Sequence, residues 1–140
     1  MAALLPIRSI PVRLATGAYI LHAGIEKWNA PPDRAAMLHG AASGALPMLR
    51  RIPPVRFVKL LSAGEMALGS ALLTPLVSNR LAGLGLTAFS GSLVAMYWRT
   101  PTLRRAGSVW PTPQGVAVSK DVWMLGAGLS LLLERGRAAR

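Results

Sequence analysis

The stretch RLATGAYILHAGIEKW, from Arg13 to Trp28, decides the fold class of this chain. It is apolar enough to lie in a lipid bilayer, yet it begins with an arginine and ends with a His-x-x-x-Glu-Lys-Trp cluster. Because about 20 predominantly apolar residues suffice to cross a bilayer, we interpret it as the main part of a membrane-spanning helix over residues 10–28. Ionisable groups in such a helix need partners, so its charges predict further helices packed beside it.

The composition of the whole chain favours a membrane protein over a water-soluble one. The chain has 140 residues, of which 52% are hydrophobic and 15% are charged, whereas a soluble domain usually carries about 25% charged residues. This length is consistent with one domain of four membrane-crossing helices. The chain contains no cysteine, which excludes disulfides, thiol catalysis and cysteine-ligated metal or iron–sulfur sites.

Apolar segments separated by prolines predict four spanning helices and one shorter helix. The predicted spans are residues 10–28, 55–76, 81–98 and 117–134, followed by a basic tail at 135–140. We expect the first span to stay uncleaved, since charged residues follow it directly and no Ala-x-Ala site is present. Glycines and a proline interrupt segment 34–49, which predicts a short amphipathic helix in the membrane interface. The sequence thus predicts an all-α, integral membrane four-helix bundle with an interfacial helix between helices one and two.

The net charge of +11 suggests nucleic-acid binding, but the arrangement of the basic residues argues against it. They flank apolar segments instead of forming one continuous run, and they do not alternate with aromatic residues as in a nucleic-acid-binding motif. Basic residues at helix ends, beside anionic headgroups, explain the charge more simply. Most of them, and all four tryptophans, fall on the side of the two long connections, the loop side. Both termini and the turn at Ser78 fall on the opposite side, the terminus side. The distribution of charges does not decide which of the two sides faces the cytoplasm.

Six ionisable residues on the predicted helices form the candidate polar set: Arg13, His22, Glu26, Lys27, Glu65 and Asp121. Glu65 is the strongest candidate, because a carboxyl group near the bilayer midplane is costly unless it is protonated or paired. It is either a functional group or a paired acid that holds two helices together. Asp121 opens the last helix, where an acid either complements the helix N-terminus or has a functional role.

Helical periodicity divides the charges of the first helix between two faces. At 100° per residue, one broad face carries Arg13, Gly17, Ile20, Gly24 and Lys27. Its two glycines would let another helix approach closely, while Arg13 reaches the headgroups or turns inward to pair with an acid. His22 and Glu26 share a roughly opposite face. Both are predicted near the loop side, as are Lys27 and Asp121, and the four are placed to meet as one polar cluster.

Catalytic and metal-binding motifs do not appear in the sequence. His22 and Glu26, four residues apart, form a weak metal-binding pattern, and a site of one or two histidines with acids stays open. The spacing matches no zinc motif, however, so a histidine satisfied by its neighbours is the better interpretation of His22 than a metal ligand. The chain has no phosphate-binding loop, nucleophile elbow or haem attachment motif. We therefore predict no catalytic residue and no metal site.

The order of the motifs resembles the DoxX-like family of small, four-helix bacterial membrane proteins. The matching residues are His22-Ala-Gly24-x-x-Lys27 in the arginine-led first helix, Glu65-Met-Ala-Leu-Gly69 in the second and Lys120-Asp121-x-x-x-Leu-Gly126 in the last. The resemblance extends from about residue 10 to 134. It implies a multi-pass bundle in the bacterial inner membrane, with Arg13, Lys27, Glu65 and Asp121 as its polar set.

Two functions are consistent with these features. The first is a non-catalytic subunit or scaffold of a membrane oxidoreductase or oxidative-stress assembly; the resemblance implies it, since the family is similar to the small subunit of thiosulfate:quinone oxidoreductase. The second is a binder or carrier of a small lipophilic molecule, a quinone or a lipid, in a polar pocket at Glu65 or Asp121. A redox enzyme in its own right is a further alternative. The expected partners are membrane lipid and a protein partner or second copy of the chain, not nucleic acid.

Overall fold

The computed structural model describes residues 5–134 and is built from helices. The α-helices are α1 Ile10–Trp28, α2 Pro32–Ala45, α3 Pro54–Leu73, α4 Asn79–Arg99, α5 Val116–Ser119 and α6 Asp121–Leu132. Short 3-10 turns lie at Ile7–Ser9, Pro47–Arg51 and Pro101–Leu103. Residues 5–134 contain no β-strand, which confirms the all-α prediction for this range. The predicted basic tail, 135–140, lies outside the described residues.

Local sequence signals explain where the helices begin and end. Pro32 and Pro54 occupy the first positions of α2 and α3, where a missing N–H is tolerated. The Ser78 hydroxyl caps α4 by accepting a hydrogen bond of 3.2 Å from the backbone N–H of Leu81. The helix predicted at 117–134 is observed as two consecutive segments, α5 and α6, joined at Lys120, whose backbone stays in the right-handed helical region (φ −67°, ψ −18°).

Helices α1 and α3 form one antiparallel pair and α4 and α6 form another, each held close by glycine. A Cβ atom at Gly69 of α3 would lie 2.6 Å from the backbone nitrogen of Leu21 in α1. A Cβ atom at Gly83 of α4 would lie 2.5 Å from the backbone nitrogen of Leu132 in α6. These distances are shorter than real contacts, so only glycine fits. Close approach at small residues is typical of helix packing in membranes.

Replacing Gly69 with alanine is expected to destabilise the protein by about 1–3 kcal/mol, because the added methyl group forces α1 away from α3. The matched control is Gly64→Ala in the same helix, where an added Cβ meets nothing within 4 Å. Since alanine is favoured over glycine in a helix by up to about 1 kcal/mol, this control should be neutral or stabilising. Thermal unfolding in detergent micelles, followed by circular dichroism, measures both variants. Equal melting temperatures would contradict the close α1–α3 packing.

The two helix pairs meet around a small apolar core. Ile20 of α1, Leu72 of α3, Leu86 of α4 and Leu131 of α6 are almost inaccessible and contact one another as one cluster. Each comes from a different helix, so this cluster joins the pairs. The antiparallel directions bring the C-termini of α1 and α4 and the N-termini of α3 and α6 to one end of the molecule. This end is the loop side predicted from the sequence.

Helix α2 packs against the bundle through Ala35, Ser43 and Ala45, which are buried. Ser43 is buried, and His39 is half-buried with its ring edge against Phe57 of α3, 5.5 Å between ring centres. Met37 is 65% exposed. The short helix predicted within residues 34–49 is observed as α2, which leaves Gly40 and Gly44 exposed. The exposed methionine is consistent with contact to lipid, and the interfacial location stays a prediction.

By length and composition, one helix among residues 5–134, α4, is suited to cross a membrane. Helices α1 and α3 have 19 and 20 residues but more charge. The charged residues are Arg13, Glu26 and Lys27 in α1 and Arg56, Lys59 and Glu65 in α3. Helix α6 has 12 residues, fewer than the roughly 20 that span a bilayer. The other three predicted spans remain predictions.

Candidate functional site: two buried polar centres

A buried ion pair between Lys27 and Glu65 joins α1 to α3. The Lys27 Nζ lies 3.1 and 3.0 Å from the two carboxylate oxygens of Glu65, and the two side chains are 16% and 6% exposed. The same Nζ donates to the carbonyl oxygen of Ala23 at 3.3 Å. Because an ammonium group has three N–H donors, these contacts use its whole donor capacity. Both oxygens of Glu65 accept a hydrogen bond at the same time, so each charged group of this pair that connects α1 and α3 has hydrogen-bond partners.

Small residues beside the ion pair bring the two helices close enough to form it. Ser62, one turn before Glu65, donates its hydroxyl to the carbonyl oxygen of Gly24 at 2.6 Å. A Cβ atom at Gly24 would lie 2.9 Å from the backbone nitrogen of Met66. Gly24 and Lys27 are three residues apart on α1, as are Ser62 and Glu65 on α3, so the two polar contacts lie on the same faces of their helices.

Arg13 lies at the opposite end of the α1–α3 interface and is 2% exposed. Its guanidinium donates hydrogen bonds of 2.8–2.9 Å to the carbonyl oxygens of Ala71, Leu72, Thr74 and Val77 and to Oδ1 of Asn79. A guanidinium has five N–H donors, and all are used. Carbonyl groups in the last turn of a helix have no partner within it, and a cation there complements the helix dipole. Arg13 therefore caps α3 and holds the α3–α4 connection.

The contacts of Arg13 extend to the beginning of α4 and the end of α6. Asn79, the first residue of α4, donates its side-chain amide to Oε2 of Glu134. Arg8, just before α1, donates its Nε–H to Oε1 of the same carboxylate, whose side chain is 11% exposed. We call Arg8, Arg13, Asn79 and Glu134 the terminus-side network. Sequence reasoning missed Asn79 and Glu134 as site residues, because each was read only as a helix boundary.

The structure does not bring together all four residues that were predicted to meet as one polar cluster, namely His22, Glu26, Lys27 and Asp121. His22 and Glu26 are near each other, with 3.6 Å between Nε2 and Oε1, but their side chains are 70% and 54% exposed on the outer face of α1. Asp121 is half-buried at the first turn of α6 and takes no part in the buried ion pair. Arg13 neither reaches outward nor meets an acid directly, since its acceptors are carbonyl groups and an amide. The structure thus separates two buried centres from an exposed pair.

Two pockets at the surface of the described residues lie away from Glu65 and Asp121. Two surface pockets of about 580 and 330 Å³ lie on the terminus side, one beside the Arg8–Glu134 pair and the other beside Arg13. Neither is lined by Glu65 or Asp121. Within residues 5–134, no group of three or more histidine or acidic residues is placed to hold a metal ion. Glu134 lines the first pocket and Arg13 the second, whereas the Lys27–Glu65 pair lines neither.

Comparison with known proteins finds no matching family model, no similar curated protein and no similar solved structure. The resemblance to the DoxX-like family therefore remains an expectation drawn from sequence motifs. Three of its four polar positions, Arg13, Lys27 and Glu65, are buried in the α1–α3 interface.

Proposed function

We propose that the protein is a membrane-embedded helical scaffold, a non-catalytic four-helix subunit whose buried charges hold its helices together. The observation that carries this proposal is that two charged side chains lie inside the bundle while many large apolar side chains lie on its surface. Arg13 and Glu65 are 2% and 5% exposed, whereas Tyr19 and Leu84 are 71% and 54% exposed. Apolar surface in water costs about 25 cal/mol per Å², and a lipid environment removes that cost.

The apolar exterior extends over all four helices of the bundle. Its exposed residues include Leu14, Tyr19 and Ile25 of α1, Leu60 of α3, Leu81 and Leu84 of α4, and Val122 and Leu129 of α6. Soluble monomers rarely expose contiguous apolar patches above a few hundred Å². Only 28% of the apolar stretch of α4 is buried, whereas the core helix of a water-soluble protein is mostly buried. Helices α5 and α6, from Val116 to Leu132, together approach the minimum of about 17 residues for a span.

The positions of the charges in α1 and α3 are compatible with lipid on the outside. Arg13, Lys27 and Glu65 face the helix interface and have partners there, as ionisable groups within a membrane do. Arg56 and Lys59 lie in the first two turns of α3, at the loop side, where long basic side chains can reach the headgroups. Apart from Glu26, which is exposed near the loop-side end of α1, the charges that lower the mean hydropathy of these helices therefore do not have to face acyl chains.

The geometry favours a scaffold over a binder of quinone or lipid. Both carboxylate oxygens of Glu65 already accept hydrogen bonds from Lys27, and the Glu65 side chain is only 6% exposed, which leaves a ligand little access to it. A quinone site needs a pocket with polar groups directed into it, and neither of the two pockets described above is lined by Glu65 or Asp121. We assign no quinone. The resemblance to the DoxX-like family suggests that the partner is a membrane oxidoreductase or oxidative-stress assembly.

Fractionation of cells that express the tagged protein tests the proposal. We expect the protein to stay in the membrane pellet after alkaline carbonate extraction, which removes peripheral proteins, and to dissolve in mild detergent. Purification from that detergent should retain a partner protein at constant stoichiometry. Release by carbonate would contradict membrane embedding. Recovery of a stable homo-oligomer without any other protein would contradict the scaffold role while leaving membrane embedding intact.

A further inference from the structure

Two tryptophans at the loop side each lie against a basic side chain. The Nζ of Lys59, in α3, is 4.1 Å from the ring centre of Trp28 at the end of α1. The guanidinium carbon of Arg104, which follows α4, is 4.4 Å from the ring centre of Trp98. These are cation–π distances, and the indole side chains are 42% and 55% exposed. Each pair therefore presents a fixed positive charge and an indole ring together at the surface.

Further basic residues lie at the same end of the bundle, namely Arg50, Arg51, Arg56, Arg99 and Arg105. Arg99, at the end of α4, contacts the carbonyl oxygen of Ala45 at 3.5 Å, which places the turn after α2 beside the C-terminus of α4. The acids of this end are few, since Glu65 is paired with Lys27 and the others are Glu26, Asp33 and Asp121. The loop side therefore carries an excess of positive charge around the two indole rings.

We propose that Trp28, Lys59, Trp98 and Arg104, the cation–tryptophan surface, bind the headgroups of anionic phospholipids. This proposal rests on the membrane embedding proposed above. Indole rings favour the depth of the headgroups, and a cation held over an indole is fixed at that depth. Charge complementarity then selects the lipid, because an anionic headgroup offers a phosphate without the ammonium that neutralises a zwitterionic one.

Tryptophan fluorescence of the full-length protein in detergent provides the test, because two of its four tryptophans belong to this surface. Titration with mixed micelles of phosphatidylglycerol should give a saturable change at a concentration at least tenfold lower than phosphatidylcholine requires. Inorganic phosphate at the same concentrations should give none. An equal response to both lipids, or a response to inorganic phosphate that matches phosphatidylglycerol, would overturn the proposal.

Variants that remove the two charges test whether Lys59 and Arg104 cause the preference for phosphatidylglycerol over phosphatidylcholine. The double variant Lys59→Gln, Arg104→Gln should lose the preference for phosphatidylglycerol, whereas Arg80→Gln, an exposed position on the terminus side, should keep it. The charge-conserving double variant Lys59→Arg, Arg104→Lys should also keep it, which separates loss of charge from loss of folding. An unchanged preference in the glutamine double variant would overturn the proposal. Carbonate resistance without any lipid preference would overturn this proposal and leave the scaffold intact, whereas carbonate release would overturn the scaffold.

Discussion

Replacing Glu65 with leucine should destabilise the protein by about 3–5 kcal/mol, because it leaves the Lys27 ammonium buried without a counter-charge. The two side chains are 6% and 16% exposed, so water cannot take over the role of the lost carboxylate. Unfolding in mixed detergent micelles, followed by circular dichroism, measures the loss. The matched control is Glu26→Leu, at an acid that is 54% exposed on the outer face of α1. That change should stay within about 0.5 kcal/mol.

The double variant Lys27→Met, Glu65→Leu separates a structural from a functional role of the pair. Replacement of a buried ion pair by apolar side chains of similar volume is often neutral or stabilising, so the double variant should recover most of the lost stability. If the pair only connects α1 and α3, the recovered protein should also keep its partner in mild detergent. A stable double variant that no longer binds its partner would show that the charges are needed for more than holding the helices together.

Replacing Arg13 with methionine should cost at least about 4 kcal/mol, the range of the most damaging single substitutions. The change removes five charge-assisted hydrogen bonds, and the helix-end carbonyl oxygens of α3 lose their donor. Hydrogen exchange should show the loss first at the backbone amides of Thr74 and Val77, which donate to the carbonyl oxygens of Ser70 and Thr74, because Arg13 holds that connection. Unfolding in micelles measures the total.

Two further variants show whether the hydrogen bonds of Arg13 or only its charge matter. Arg13→Lys keeps the charge but offers three donors in place of five, so it should be intermediate in stability. Arg80→Met, at an exposed position in the first turn of α4, should be within about 0.5 kcal/mol of the unaltered protein. An Arg13→Lys variant as stable as the unaltered protein would contradict the assignment of Arg13 as a multidentate cap.

The helical class could be predicted from the sequence because it depends on local signals. Proline pairs at 31–32 and 53–54 and the apolar segments between them mark where helices begin and end. Periodicity also separated the two faces of α1, and the structure buries the face that carries Arg13 and Lys27 while exposing His22 and Glu26. These features follow from 3.6 residues per turn and need no knowledge of the other helices.

The partners of the buried charges could not be predicted in the same way. The acceptors of Arg13 are mostly backbone carbonyls about sixty residues away along the chain, and every residue type has a carbonyl group. Lys27 finds Glu65 only because α1 and α3 are antiparallel with one specific offset, which Gly24 and Gly69 allow. The packing of α2 could not be predicted for a similar reason, since the end of that helix contacts Arg99 of α4. Such pairings depend on tertiary packing, which a single sequence does not fix.

Spin-label accessibility at the centres of the helices tests the central claim that the exterior of this bundle faces lipid. The chain contains no cysteine, so a single cysteine at Tyr19, Ala67 or Ala88, exposed positions near the middle of α1, α3 and α4, can carry a nitroxide label in reconstituted vesicles. We predict more collisions with oxygen than with a water-soluble nickel complex at all three positions. A label at Thr102, in the loop after α4, should show the reverse. Preferential collision with the nickel complex at Tyr19, Ala67 and Ala88 would mean that these helices face water, and would contradict the membrane-embedded bundle.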